Sequence, residues 1–487
     1  MTNTFVKAAV NAAHETRTEN GQLAMNTTGN AVLDLYSLAG ALRDSDASRI
    51  HLLLDEAVGE NPLLAAKAMF YTRDVRGGIG ERQTFCTMLR RAADCYPNIV
   101  SENIALIGEY GRYDDMYALV GTKLEDKMWS VMKEIFEADR TSRAAGEPVT
   151  LLAKWIKSPN SKSAQTRALG KLTCKKLGYT EPEFRKILSA LRSCENVVEH
   201  HMSANTWSDI DYSIVPSRAS LLYRNAFMSH DRERYAEFLS QVNNGTAEIK
   251  TTGITPYDLV HDIYHNGRED ATVETMWKNL PDYVDSNTNV MCMVDTSGSM
   301  SGRPIEVALG LGLYFAEKNT GDFHNLFMTF SAYPKFVHVP ENTSLAKKLH
   351  SMEQAKWGMN TNLTAAFTEV LDLAVRNHVP TEDMPKSILI ISDMEIDSCT
   401  DRSDTMFFDH VEAMYAEAGY KVPNLIFWNV NSRHNTFHAD KSRKGCQLAS
   451  GESIAVFKQV IDCIGLTPEE AMLKVLNSER YEAVTVK

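Results

Sequence analysis

The chain has 487 residues, more than a single hydrophobic core accommodates, so two or more domains are expected. With 44% apolar and 23% charged residues it has an ordinary globular composition, which argues against disorder over most of its length. A net charge of −12 excludes uniform coating of nucleic acid but not a local basic surface, because charge is screened within about 8–10 Å at physiological salt.

The opening MTNTFVKAAVNAAHE has no apolar stretch of the kind a secretory signal needs. Nor is there a run of about 18 apolar residues anywhere, so no membrane span is expected. The eight cysteines (86, 95, 174, 194, 292, 399, 446 and 463) are scattered singly, with no CxxC. A zinc site built from cysteines is therefore not expected, and the thiols should be reduced in a cytoplasmic protein.

From about residue 30 to 280 the pattern is helical. Apolar residues recur at three- and four-residue spacing in AVLDLYSLAGALR (31–43), NPLLAAKAMFYTR (61–73), RQTFCTMLRRAAD (82–94) and KMWSVMKEIFEADR (127–140). Breaks carrying Gly, Asp or Pro separate them at 76–80, 96–97 and 178–182. Successive helical hairpins of this kind bury their apolar faces by stacking as an array. No clean sequence period accompanies them.

The texture changes after Pro281, with a short polar boundary at 282–289, giving expected domains at 1–285 and 286–487. Strand-like runs are read at VMCMV (290–294), NLFMTFSA (325–332), KFVHVP (335–340), SILIISD (387–393), NLIFWNV (424–430) and SIAVFK (453–458). Helical patterns alternate with them at 306–319, 364–376, 404–418 and from about 467. Apolar strands alternating with helices predict a doubly wound, Rossmann-like α/β domain with a largely parallel sheet.

In such a sheet ligands bind beyond the carboxyl ends of the strands. Asp295-Thr296-Ser297-Gly298-Ser299 lies between an apolar strand and a helix, so side chains 295, 297 and 299 can converge on one point. Thr361, in the loop 357–362 before a helix, and Asp393, at the end of SILIISD, supply a further hydroxyl and carboxylate. Such an oxygen-only set suits Mg²⁺, with Mn²⁺ or Ca²⁺ as alternatives, and leaves room for an acidic side chain from a partner. The alternative is a plain helix N-cap turn, where Asp and Ser are favoured anyway.

This DxSxS…T…D order resembles the metal-ion-dependent adhesion site of von Willebrand factor A domains. Many relatives read Asp-Gly after the last of these strands, whereas here Asp393-Met394-Glu395-Ile396-Asp397 follows, and Glu395 and Asp397 are expected to face solvent.

Such a domain after a long helical region resembles the Ro ribonucleoprotein autoantigen group, in which a TROVE domain precedes it. The similarity is closer to an uncharacterised branch found in phages, plants and fungi. It runs from about residue 25 to the end. The blocks carrying it are YTRDVRGGIGER (71–82), GRYDD (111–115), Ala153-Lys154-Trp155 and DYSIVPSR (211–218). The resemblance implies a HEAT-like, ring-shaped helical region that binds structured or misfolded RNA.

The residues offer their own support for RNA. Between 154 and 192 stand ten basic residues against Glu181 and Glu183 alone: Lys154, Lys157, Lys162, Arg167, Lys171, Lys175, Lys176, Arg185, Lys186 and Arg192. Such a concentration suits phosphate contacts, and Trp155 and Tyr179 could stack on bases. A solvated helical face with aromatics in the core is the plain alternative. The glycines of RGGIGER follow a helix and precede no Lys-Ser/Thr, so a turn is expected there. Arg73, Arg76 and Arg82 are expected in structural salt bridges with Asp74 or Glu81, the alternative being that they line the ring.

His261 and His265 stand at i and i+4 without the zinc-protease glutamate between them. They read as a helical surface pair with no evident third ligand, and His200-His201 reads as a polar turn. With no GxSxG elbow, phosphate-binding loop or Cys/His arrangement, no enzyme is expected. The sequence thus points to a non-enzymatic RNA-binding protein whose metal site captures an acidic residue of a protein partner. A protein-interaction scaffold without RNA is the alternative. A chaperone-like or assembly accessory working with a separate ATPase is a third class.

Overall fold

Asn30, Asn61, Glu81, Thr180 and Thr255 each cap a helix by accepting backbone N–H bonds in its first turn, and Pro62 and Pro256 occupy first helical positions. The computed structural model describes residues 12–193, 197–267, 269–284, 289–330, 333–353, 361–398 and 406–487. In it these caps open the helices Ala31–Leu38, Pro62–Arg73, Arg82–Cys95, Glu181–Arg192 and Pro256–Asn266. All four quoted helical stretches form helices, the longest being Glu125–Ala145. His200 and His201 lie in the helix Val198–Ala204 rather than in the turn expected for them.

Two short strands precede this region: β1 (Glu15–Arg17) and β2 (Leu23–Met25) pair as an antiparallel hairpin. The second sheet has six strands: β3 (Val290–Asp295), β4 (Leu326–Phe330), β5 (Lys335–His338), β6 (Ser387–Ser392), β7 (Asn424–Asn429) and β8 (Cys446–Ser450). Their order is β5-β4-β3-β6-β7-β8, parallel except for the edge strand β5. Every residue of β3 and of β6 is buried, as strands covered by helices on both faces require. The architecture is a helical region followed by a mixed, largely parallel α/β domain.

One expected strand is not formed. SIAVFK turns into the helix Ala455–Ile461, which buries Val456, Phe457 and Val460 on one face. The last strand is instead β8, whose buried Gln447 donates to the carbonyls of Cys463 (3.1 Å) and Leu466 (2.9 Å).

The two ends of the chain are exchanged across the molecule. Met25 and Phe437 trade backbone hydrogen bonds, each 2.9 Å, so the N-terminal hairpin lies on the α/β domain. At the other end Arg480 forks onto Asp74 through two 2.6 Å bonds, and Asn103 exchanges bonds with the backbone of Thr485. One apolar cluster runs from Met25 to Val484 through both regions. Gly40 meets this interface so closely that a Cβ there would lie 2.7 Å from the Cα of Gly451. Among the described residues no helix is long and apolar enough to cross a membrane.

Candidate metal centre

β3 and β6 are parallel neighbours, so Asp295, at the end of one, lies beside Ser392 and Asp393 at the end of the other. Ser392 Oγ donates to Asp295 Oδ2 at 2.6 Å, and the Ser297 N–H donates to Oδ1 at 2.9 Å. The Ser297 and Ser299 hydroxyls are 3.0 Å apart. Complete burial, and then the charge of Asp393, push the Asp295 carboxyl up to about 7 against the bonds from Ser392 and Ser297.

Asp393 is buried and receives the Glu395 N–H at 3.2 Å. Thr361 is also buried. Its carbonyl accepts the Asp397 N–H at 3.0 Å, which sets it against the loop leaving Asp393, and Asn362 caps the helix Leu363–Arg376. Residues 357–360 of that loop lie outside the described residues. All five candidates offer hard oxygen, and two buried carboxylates in mutual repulsion are relieved by a cation. The donor set fits Mg²⁺.

Two features escape the sequence reading. Arg433, from the loop after β7, places Nη2 2.9 Å from Asp393 Oδ2 while Nη1 lies 2.5 Å from Glu19 Oε2. Glu395 is not solvated: it is buried, and Oε2 accepts the Glu19 N–H at 2.7 Å because the N-terminal hairpin covers it. Asp397 is half-buried rather than facing solvent freely. Beside Arg433 opens a cleft of about 560 Å³, lined by Arg49, Ser301, Arg303 and Ser432 among others. No motif marks Arg433, because its role depends on a partner more than 400 residues away.

In the basic segment Lys162, Arg167, Lys171, Lys175, Arg185 and Lys186 are exposed on or beside the helices Ala164–Leu177 and Glu181–Arg192. Lys157 is held by Asp114 at 2.9 Å and Lys176 by Asp126 at 2.9 Å, while the Arg192 guanidinium donates to the Ala153 carbonyl. Lys154 lies 5.6 Å from the Trp155 ring. That ring lies under the guanidinium of Arg112 at 3.9 Å, and Tyr179 packs on Phe136 with its hydroxyl bonded to Glu137. Both aromatics are thus already engaged. Arg73 and Arg82 do form salt bridges, but with other partners than expected, whereas Arg76 donates to the Glu109 carbonyl at 2.7 Å. Arg73 and Arg82 both bind Asp115, at 2.6 and 2.5 Å, whereas Asp74 takes Arg480 and Glu81 takes Arg43.

The family model described as "Domain of unknown function (DUF2828)" matches residues 18–147 and 147–291, more than half of the chain. The chain belongs to the DUF2828 family. A second model, "Domain of unknown function (DUF7788)", matches residues 289–486, the part of the DUF2828 protein that holds all five metal-site candidates. Over 503 aligned residues the DUF2828 protein is 27% identical to an uncharacterized protein of Acanthamoeba polyphaga mimivirus, covering 94% of this chain and 86% of that one. Among solved structures it is similar to the crystal structure of the Deinococcus radiodurans Ro (RSR) protein. There the TM-score is 0.41 at 13% identity, over 91% of this chain and 92% of the other. The DUF2828 match agrees with the uncharacterised branch drawn from the sequence blocks.

Proposed function

We propose that the DUF2828 protein is a non-enzymatic, cytoplasmic RNA-binding protein. Its helical region is a HEAT-like ring that holds structured RNA on a basic face. Its α/β domain holds Mg²⁺ through Asp295, Ser297, Ser299, Thr361 and Asp393 and uses it to capture an acidic side chain of a protein partner. The observation that carries the RNA reading is the exposed set Lys162, Lys175, Arg185 and Lys186, none of which has a carboxylate within salt-bridge distance among the described residues. Cations left unpaired in a chain of net charge −12 are available to phosphates.

A second reading, a protein-interaction scaffold without RNA, is favoured by the engagement of Trp155 and Tyr179, which removes the two aromatics nearest the basic face as stacking platforms. Filter binding of the full chain to a structured RNA hairpin over a salt series separates the two. Binding that tightens steeply as salt falls supports the RNA reading, and no binding at low salt leaves the scaffold. Calorimetric titration with Mg²⁺ tests the other half. The parent should bind one equivalent and Asp295→Ala none, and equal binding by both would refute the ligand assignment.

A further inference from the structure

Outside the candidate centre, one group among the described residues brings three potential metal ligands of two types, two imidazoles and a carboxylate, to short range. His261 and His265 lie one turn apart on the helix Pro256–Asn266, with ring centroids 4.0 Å apart. The third member is Glu306, from the first turn of the helix Arg303–Lys318 in the α/β domain. His261 Nδ1 is 2.7 Å from Glu306 Oε2, and His265 Nε2 is 3.7 Å from Oε1. The ligand atoms of all three lie within 4.8 Å of one another. The sequence reading of a helical surface pair without a third ligand is corrected here: that ligand comes from a helix 40 residues further on, which no local motif announces.

We propose that His261, His265 and Glu306 form a site for a borderline transition-metal dication, Zn²⁺ foremost, that staples the helical region to the α/β domain. Zn²⁺ binds imidazole nitrogen and carboxylate oxygen at about 2.0–2.2 Å, so tetrahedral ligands stand roughly 3.3 Å apart. The two nitrogen–oxygen separations, 2.7 and 3.7 Å, bracket that spacing. Two imidazoles and one carboxylate select against Mg²⁺, which prefers oxygen alone. A fourth position is left to water, since His265 is exposed.

The surroundings fit this role. Asp262, the acid between the two histidines in sequence, is bound by Arg224 at 2.7 Å and is not available as a ligand. Glu306 has no Lys or Arg partner among the described residues, its ion pairs being to the two imidazoles. The backbone beneath the site is held at a fixed separation. A Cβ on Gly310, one turn beyond Glu306, would meet the Pro256 carbonyl carbon at 3.2 Å and the Tyr257 nitrogen at 3.3 Å. The two helices therefore cross closely there, which keeps the donors of the two regions side by side.

The test is calorimetric titration of the full chain with ZnCl₂ in millimolar MgCl₂, which keeps the oxygen centre filled with the harder ion. The parent is expected to bind one Zn²⁺ that His265→Ala and Glu306→Gln each weaken at least tenfold and Asp295→Ala leaves unchanged. His265 is exposed, so its loss does not threaten folding, and Co²⁺ gives a second readout through visible absorption bands of a nitrogen–oxygen site that vanish in His265→Ala. Zinc binding that survives both His265→Ala and Glu306→Gln would overturn the proposal, as would a zinc equivalent lost only in Asp295→Ala. A parent that binds no zinc would overturn it too, whatever becomes of the RNA and Mg²⁺ readings.

Discussion

Neutralising Lys162, Lys175 and Lys186 together, each to Gln, isolates the electrostatic share of RNA binding. Six cations of the basic segment are exposed. If each meets one phosphate, counterion release gives a slope of log affinity on log salt of about −4 to −5, at roughly 0.7–0.9 per phosphate. Between 50 and 200 mM salt the parent then loses on the order of 300- to 2000-fold in affinity. The triple variant keeps three contacts and loses only about 20- to 40-fold. Lys176→Gln is the internal control, because its ammonium is already held by Asp126 and Glu125 and releases few counterions. The assay is filter binding of a structured RNA hairpin at five salt concentrations. Equal slopes for parent and triple variant, or a Lys176→Gln effect as large as that of the triple, would refute the assignment of this face.

Three further outcomes follow from contacts elsewhere in the fold. Arg433→Gln removes the guanidinium that competes for Asp393, so Mg²⁺ affinity measured by calorimetry should rise several-fold, and a fall would mean that Arg433 supports the ion rather than displacing it. Burial holds the His438 imidazole down at about 4, with one ring nitrogen on the Met394 carbonyl at 3.0 Å and the other unpartnered. A folded-state value below the unfolded one gives stability that is present above about 6.5 and lost as pH falls towards 4, about 3 kcal/mol in all. Urea midpoints between pH 7 and 4 should show that loss in the parent and a flatter profile in His438→Gln. Gly40→Ala sets a methyl 2.7 Å from the backbone of Ser450 and Gly451, where nothing yields cheaply, and should cost about 2 kcal/mol in denaturation experiments; an unchanged midpoint would show that the joint relaxes.

What the sequence disclosed, and what it hid, divides along one physical line. Val290–Asp295, Ser387–Ser392 and Asn424–Asn429 are legible because strands buried on both faces need unbroken apolar runs, and their ends mark where ligands gather. Cys446–Ser450 is not legible, since its buried Gln447 is satisfied by carbonyls from a later turn, and only the fold supplies those partners. SIAVFK misleads for the converse reason. Its β-branched and aromatic content reads as strand, yet Val456, Phe457 and Val460 share one helical face against the core. Glu395 looks like a solvated acid until a hairpin from the far end of the chain delivers the Glu19 N–H to it.

The same division governs the two candidate metal sites. The oxygen centre announces itself because three of its candidate ligands sit two residues apart at a strand end, a local pattern. Its charge balance is not local. Two buried carboxylates stand together, and only one, Asp393, meets a guanidinium, which is shared in turn with Glu19. Arg433 sets one positive charge against that repulsion, while burial and its neighbour push the Asp295 carboxyl up. A dication held between the carboxylates would compete with the proton on Asp295 and with Arg433 for Asp393. Arg433 also pairs with Glu19, so the hairpin that carries Glu19 would share in that competition.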